Sequence, residues 1–266
     1  MKEQMQEAAN TKMDQVQQEV DRGREPWYRS SRRTRILAVV YLIQFVLFTA
    51  LAWFVHFNPV IPVDVAITQE FQENKSPWLE SFMVAVSFIG NQSILFAVLI
   101  ALTALAFWLV RLRLEALIII TLSVVSAVVN FLVKVIVSRP RPTTHLVDVF
   151  QKANGQSFPS GHVMSYVAFW GLLFSLGLIL FNRKQWWHYL LLIIPALFVI
   201  LVGPSRIYLG DHWASDVLGG YLFGGLLLGI TLWIYLRLKA RGVWTPKAKS
   251  SKIPVNRVVP TKVRES

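Results

Sequence analysis

The run that decides the fold is "WWHYLLLIIPALFVILVGPSRIYLGDHWASDVLGGYLFGGLLLGITLWIYL", Trp186 to Leu236. Each end is apolar over a length close to the roughly 20 residues that carry a helix across a bilayer. Between them stands "SRIYLGDHWASD", Ser205 to Asp216. A connecting turn needs only polarity. This one holds a cation, a titratable ring and two carboxylates at fixed spacing.

The same alternation runs along the chain. Of 266 residues, 54% are hydrophobic and 16% charged, too apolar for an ordinary soluble domain of this length. The apolar runs define six spans: Ile36–Phe57, Ile94–Val110 with a start as early as Phe82, Leu114–Val137, Val163–Phe181, Trp186–Val202 and Val217–Leu236. Backbone groups inside lipid have no water to bond, so these spans are helices. Pro195 predicts a kink in the fifth, since it lacks an N–H. No small-residue cleavage site follows the first span, which reads as a retained helix. The expected fold is all-α: a six-transmembrane-helix bundle over residues 36–238, with basic tails at 1–35 and 239–266.

There is no cysteine, which excludes disulfides and thiolate metal sites. The net charge of +12 invites two readings. With six crossings and the N-terminus inside, 21 of the 27 Lys and Arg fall on the cytoplasmic side. That places both termini in the cytoplasm, with the tails as a collar against anionic lipid. Nucleic-acid binding would want interleaved aromatics that the tails lack, so no nucleic-acid partner is expected. Met5, Ala9, Met13, Val16 and Val20 recur at helical spacing, the pattern of a short amphipathic helix.

Cations left on the outer side gather in two segments, "KVIVSRPRP" (Lys134–Pro142) and "SRIYLGDH". Because helices alternate in direction, both meet "PSGH" (Pro159–His162) at one membrane surface. Lys134, Arg141 and Arg206 together suit a phosphate and its developing charge. Ser160 and Gly161 open a helix, whose free N–H groups and dipole attract anions. His212 and Asp216 are four apart and share a helix face. The carboxylate would fix the tautomer of His212, leaving the other ring nitrogen to attack. A protonated His162 would supply the leaving group's proton. These are the parts for phosphoryl transfer through a phosphohistidine.

Lys, six residues, Arg-Pro; then Pro-Ser-Gly-His; then Ser-Arg, five residues, His, three residues, Asp: in this pattern the chain resembles the type 2 phosphatidic acid phosphatases, relatives of the vanadium haloperoxidases. All three elements are complete and in order, and the likeness spans roughly Pro59 to Leu236. The resemblance implies a bacterial-type membrane lipid phosphatase with its site at the non-cytoplasmic face of the plasma membrane. In it His212 is the nucleophile, Asp216 its partner and His162 the general acid. Lys134, Arg141, Ser160, Gly161 and Arg206 bind phosphate, and no metal or cofactor is needed. The substrate would be a membrane lipid phosphate: undecaprenyl pyrophosphate, phosphatidylglycerol phosphate or phosphatidic acid. A phosphatase or phosphotransferase for a soluble phosphoester, and a non-enzymatic lipid binder, remain the alternatives.

Several residues have plainer readings. Arg139 falls off the motif spacing and reads as structural, or as a helper to the head group. Asp211 stands beside His212 and could tune it. His56 and His188 read as interfacial, and His145 as structural. "VDVAITQEFQENKS" (Val63–Ser76) has the makings of a helix lying on the outer surface, and "GNQS" (Gly90–Ser93) lines a cavity or caps a helix.

Overall fold

The computed structural model describes residues 31–150, 153–181 and 186–243. Most of both basic tails, including the amphipathic pattern from Met5 to Val20, lies outside the described residues. Eight helices make up the described fold: α1 Ser31–Phe57, α2 Pro62–Gln72, α3 Pro77–Asn91, α4 Ser93–Leu109, α5 Arg113–Val137, α6 Gly161–Leu180, α7 Trp186–Tyr208 and α8 Ala214–Ala240. Five of these are long and apolar enough to cross a membrane, and α3 with α4 makes a sixth, broken span bent by 69°. Pro62 and Pro77 stand at the starts of α2 and α3, where a missing N–H costs nothing.

α6 is the central helix: 56% of its apolar window is buried, against 6% for α1. Ile119 and Leu122 of α5, Phe169, Leu172 and Leu176 of α6, and Tyr235 of α8 form the core around it. A π-turn at Val167–Gly171 interrupts α6. Leu42, Val46 and Trp53 of α1 and Phe131, Leu132 and Ile136 of α5 are exposed, an apolar surface that suits hydrocarbon rather than water.

Most helices extend a few residues beyond the apolar runs, α1 from Ser31 and α8 over Ala214–Ala240, and two differences bear on the site. The second span divides at Gln92, because hydropathy locates apolar residues on both sides of that point but cannot see a bend between them. The fifth helix runs through Pro195 and Pro204 to Tyr208, not to Val202. Its last turn is polar, yet Ser205 and Arg206 are fully buried against other polar groups.

The bundle is fastened at both ends. Away from the motif segments, buried Glu115 at the start of α5 accepts from Tyr235 (2.7 Å) and Lys239 (3.0 Å) of α8. At the other end, Gln72 of α2 donates to the carbonyls of Asp148 and Tyr208, 2.8 Å each, and accepts the Asp148 N–H at 3.0 Å. The helix expected between Val63 and Ser76 therefore exists, and it is tied into the end of the bundle that carries the three polar segments.

Candidate active site

The three segments converge because the first two open and close the α5–α6 connection and the third joins α7 to α8, at the same end of the bundle. Lys134 is on the last turn of α5, which closes at Ser138 in a left-handed conformation (φ 49°). Gly161 and His162 open α6, and Ser160 is its N-cap. Arg206 is on the last turn of α7. Gly210 then turns the chain with φ 71°. A Cβ there would sit 2.0 Å from the Asp148 carbonyl oxygen, so only glycine fits this turn. His212 follows, two residues before α8.

Asp216 is the third residue of α8, where a carboxylate favours the helix dipole. It accepts the backbone N–H of the N-cap, Trp213, at 2.9 Å through Oδ2, half of a capping box. The same oxygen lies 3.5 Å from His212 Nδ1 and accepts a short hydrogen bond from Ser157 Oγ. Ser157 Oγ is in turn 3.4 Å from His212 Nδ1. Both contacts of Nδ1 are long for hydrogen bonds, so the ring nitrogen lies between the carboxylate and the hydroxyl bonded to it, and Ser157 shares the contact between ring and carboxylate. Both His212 and Asp216 are buried, as is Ser157.

The other ring nitrogen, Nε2, faces Arg141 Nη1 at 3.3 Å. A guanidinium only donates, so Nε2 holds the lone pair and Nδ1 carries the proton. Burial and then the charges of Arg141, Lys134 and Arg206 push the His212 ring well below the usual histidine range. The ring is neutral at pH 7, with its free lone pair turned toward the cations.

The cations are held by neutral carbonyls and one carboxylate. Lys134 Nζ donates to the carbonyls of Gln156 and Ser157. Arg141 donates to the carbonyls of Gly155 (3.1 Å) and Asp211 (2.7 Å). Arg206 pairs with Asp211 at 2.5 Å and donates to Asn91 Oδ1 at 3.1 Å. Burial raises the Asp211 carboxyl while Arg206 and Arg141 oppose the shift. Ser160 Oγ, His162 Nε2 and Arg206 Nε are among the buried polar atoms here without a hydrogen-bond partner, as are Trp213 Nε1 and, apart from their ion pair with Arg206, the Asp211 carboxylate oxygens. An anion beside the first three would meet the Arg206 N–H, the hydroxyl and, when it is protonated, the His162 ring.

His162 is backed by glycine. A Cβ on Gly90 would lie 2.4 Å from its Cδ2, so the break after α3 lets the chain pass flush against the ring. The "GNQS" segment thus both lines the site through Gly90 and holds Arg206 through Asn91. A groove of about 510 Å³ runs from Gly90 between α4 and α5, walled by Phe96, Ile100, Ile120 and Val124. Among the described residues no three His, Cys, Asp or Glu side chains are grouped to hold a metal ion.

Residues 114–240 match the family model of the PAP2 superfamily. A phosphatidylglycerophosphatase B of Bacillus subtilis is 31% identical over 186 residues, covering 69% of this chain and 88% of that one. The chain belongs to the PAP2 superfamily. It is also similar to an undecaprenyl-diphosphatase of Sulfolobus acidocaldarius, at 29% identity over 62% of this chain and 74% of that protein. The crystal structure of a transmembrane PAP2-type phosphatidylglycerolphosphate phosphatase from Bacillus subtilis superposes with a TM-score of 0.63 at 27% identity, covering 74% of this chain and 96% of that one. This PAP2 chain is therefore an all-α, multi-pass membrane protein.

Every motif residue read from the sequence lies at this one end of the PAP2 bundle. The histidines outside the motifs do not join them. His188 is buried with Nε2 against the Gly177 carbonyl (2.9 Å), His56 meets the Val137 carbonyl (2.9 Å), and His145 is exposed. Sequence reasoning missed Ser157 and Asp64. Ser157 stands three residues before Ser160, a faint signal, and Asp64 carries none that a single sequence offers.

Proposed function

We propose that this chain is a metal-independent lipid phosphatase, with both termini cytoplasmic and the site at the non-cytoplasmic membrane surface. The observation that supports it best is the seat of His212: Nδ1 turned to Asp216 and Ser157, Nε2 turned to the cations. Nε2 attacks phosphorus and forms a P–N bond while the P–O bond to the leaving group breaks. His162 gives that oxygen its proton. Water then attacks phosphorus, loses a proton to His162, and the P–N bond breaks to release inorganic phosphate. Asp216 stabilises the imidazolium of the intermediate. Lys134, Arg141, Arg206, Ser160 and the first N–H groups of α6 take up the phosphoryl charge.

The lipid reading is supported by the apolar groove whose lining starts at Gly90, the residue packed against His162, and follows α4 and α5 along the membrane-spanning region. A phosphate among the cations can leave its hydrocarbon chain in that groove. Phosphatidylglycerol phosphate and undecaprenyl pyrophosphate are favoured over phosphatidic acid, because the similar proteins are a phosphatidylglycerophosphatase and an undecaprenyl-diphosphatase. The test is phosphate release by purified protein in detergent with EDTA present, comparing the three lipids and running His212→Ala alongside. Release that disappears in the variant supports the proposal. No release from any lipid, by folded protein, overturns it.

A further inference from the structure

Arg139 is 1% exposed and its guanidinium nitrogens all have protein acceptors. Nη1 donates to Asp216 Oδ1 and Ser215 Oγ, 2.7 Å each. Nη2 donates to Asp64 Oδ2 at 2.7 Å, and Nε to the Pro59 carbonyl at 2.9 Å. This arginine is committed to the protein rather than to a head group. Asp64, the third residue of α2 and 3% exposed, receives more than Arg139. Its Oδ2 accepts from Ser215 Oγ (2.5 Å) and its Oδ1 from the Ser215 N–H (2.9 Å), on the first turn of α8.

The charges explain why two carboxylates hold one arginine. His212 faces Lys134, Arg141, Arg206 and His162, with Asp211 paired to Arg206. An imidazolium formed on attack therefore needs a nearby negative charge. Asp216 supplies it, but Asp216 with Arg139 alone sums to zero. Asp64 cancels Arg139, so the Asp64–Arg139–Asp216 chain keeps a net charge of −1 beside the ring. Burial magnifies the difference, since charges in a poorly screened interior interact far more strongly than in water.

We propose that Asp64, on the surface helix α2, is a positioning residue of the catalytic centre: it neutralises Arg139 so that the Asp64–Arg139–Asp216 chain presents a net negative charge to His212. This inference rests on His212 as the nucleophile. Neither Asp64 nor Arg139 touches the reacting atoms; both act through Asp216. The helix between the first and second spans is thereby part of the catalytic apparatus and not a spacer.

The test is a double-mutant cycle on the full chain in detergent. Asp64→Asn keeps an oxygen for the Ser215 N–H but removes the charge. It should lower kcat roughly tenfold, leave KM within about twofold, and move the acid limb of the pH profile down by on the order of one unit. Adding Arg139→Gln removes the matching positive charge; with the Ser157 hydroxyl and the Trp213 N–H still holding Asp216 ionised, the net charge returns to −1, so the double variant should recover most of kcat and return the acid limb. Ser215→Ala leaves all three charges in place and should leave the acid limb where it is. A double variant no faster than Asp64→Asn would overturn the proposal, because two cuts in a merely structural cluster add. So would an acid limb that Asp64→Asn does not move. A second readout does not depend on turnover: nitrogen NMR of the His212 ring, assigned with His212→Ala. The ring should titrate lower in Asp64→Asn and return in the double variant. If wild-type protein hydrolyses no lipid, the lipid-phosphatase reading fails, while this titration still decides the charge chain. An unshifted ring refutes it. Should Asp64→Asn not fold, Asp64→Ser removes the same charge and carries the same expectation.

Discussion

Asp216 reaches His212 across 3.5 Å, one helical turn apart in sequence, with the Ser157 hydroxyl bridging the same two groups. The carboxylate thus orients the ring partly through a third side chain. Asp216→Asn should lower kcat by roughly 10³-fold or more, because it removes both the orienting acceptor and the charge opposite the imidazolium. Ser157→Ala should cost about tenfold in kcat and about 1 kcal/mol of stability, since it deletes one hydrogen bond and leaves Asp216 Oδ2 its other partners. Single-turnover rates and thermal melts of both variants check this. A Ser157→Ala enzyme at full speed would remove the serine from the account.

The pH dependence follows from the neutral ring. Burial and three cations hold His212 well below the usual 6.5, so kcat/KM should stay high through pH 6.5 and fall only at lower pH, as the ring protonates. In the proposed mechanism His162 carries its proton once the substrate's negative phosphate is seated beside it, so kcat should fall on the alkaline side as that proton is lost, giving a bell. Arg141→Gln removes a charge that opposes protonation, so its acid limb should shift upward while KM rises. Stability carries the same sign: below pH 6.5 the unfolded chain binds a proton that the folded ring refuses, and stability falls with pH. A profile flat from pH 5 to 9 would contradict the histidine pair.

Gly90 has no side chain because His162 occupies that space. Gly90→Ala places a methyl 2.4 Å from the ring carbon, and the ring has to move. The expected result is a loss of ten- to a hundredfold in kcat, as a displacement of about 1 Å at a reacting group is enough, with a stability cost of about 1–3 kcal/mol because the methyl also meets the buried Tyr166 ring at 2.9 Å. Gly210→Ala differs: its Cβ meets backbone at positive φ, so it should lower stability by several kcal/mol before it affects rate. Melting curves beside rates separate the two.

Vanadate resembles the transferring phosphoryl group and should inhibit in competition with substrate. EDTA should leave the rate unchanged, because the phosphoryl charge is met by Lys134, Arg141 and Arg206. Loss of activity in EDTA that returns with a divalent cation would replace this mechanism with a metal-assisted one.

Much of this was legible in the sequence, and for a physical reason. The spacing of four marked His212 and Asp216 as partners, although they do not share a helix face: His212 lies two residues before α8 and meets Asp216 in its first turn. Lys134, Arg141, Ser160, Gly161 and Arg206 stand at or beside helix ends that hydropathy locates to within a turn or two. Alternating helix direction then brings the segments together. Asp64 and Arg139 were not legible as partners: they lie 75 residues apart and meet only because α2 folds back onto the end of α8. The polar "GNQS" marked the position of the break at Gln92, but such a segment reads equally as the outer start of one span, and the apolar residues on both sides do not reveal a bend. Ser205 and Arg206 looked like loop because polarity at the end of a span usually means water, whereas here a buried polar network accepts them.

The central claim is that phosphate passes through His212. The direct measurement is rapid acid-free quenching of the enzyme on a lipid phosphate, with mass spectrometry of the phosphorylated peptide. The account predicts a base-stable, acid-labile phosphohistidine on His212, absent from His212→Ala and longer-lived in His162→Ala. Steady turnover with label on another residue, or on no residue at any quench time, would contradict it.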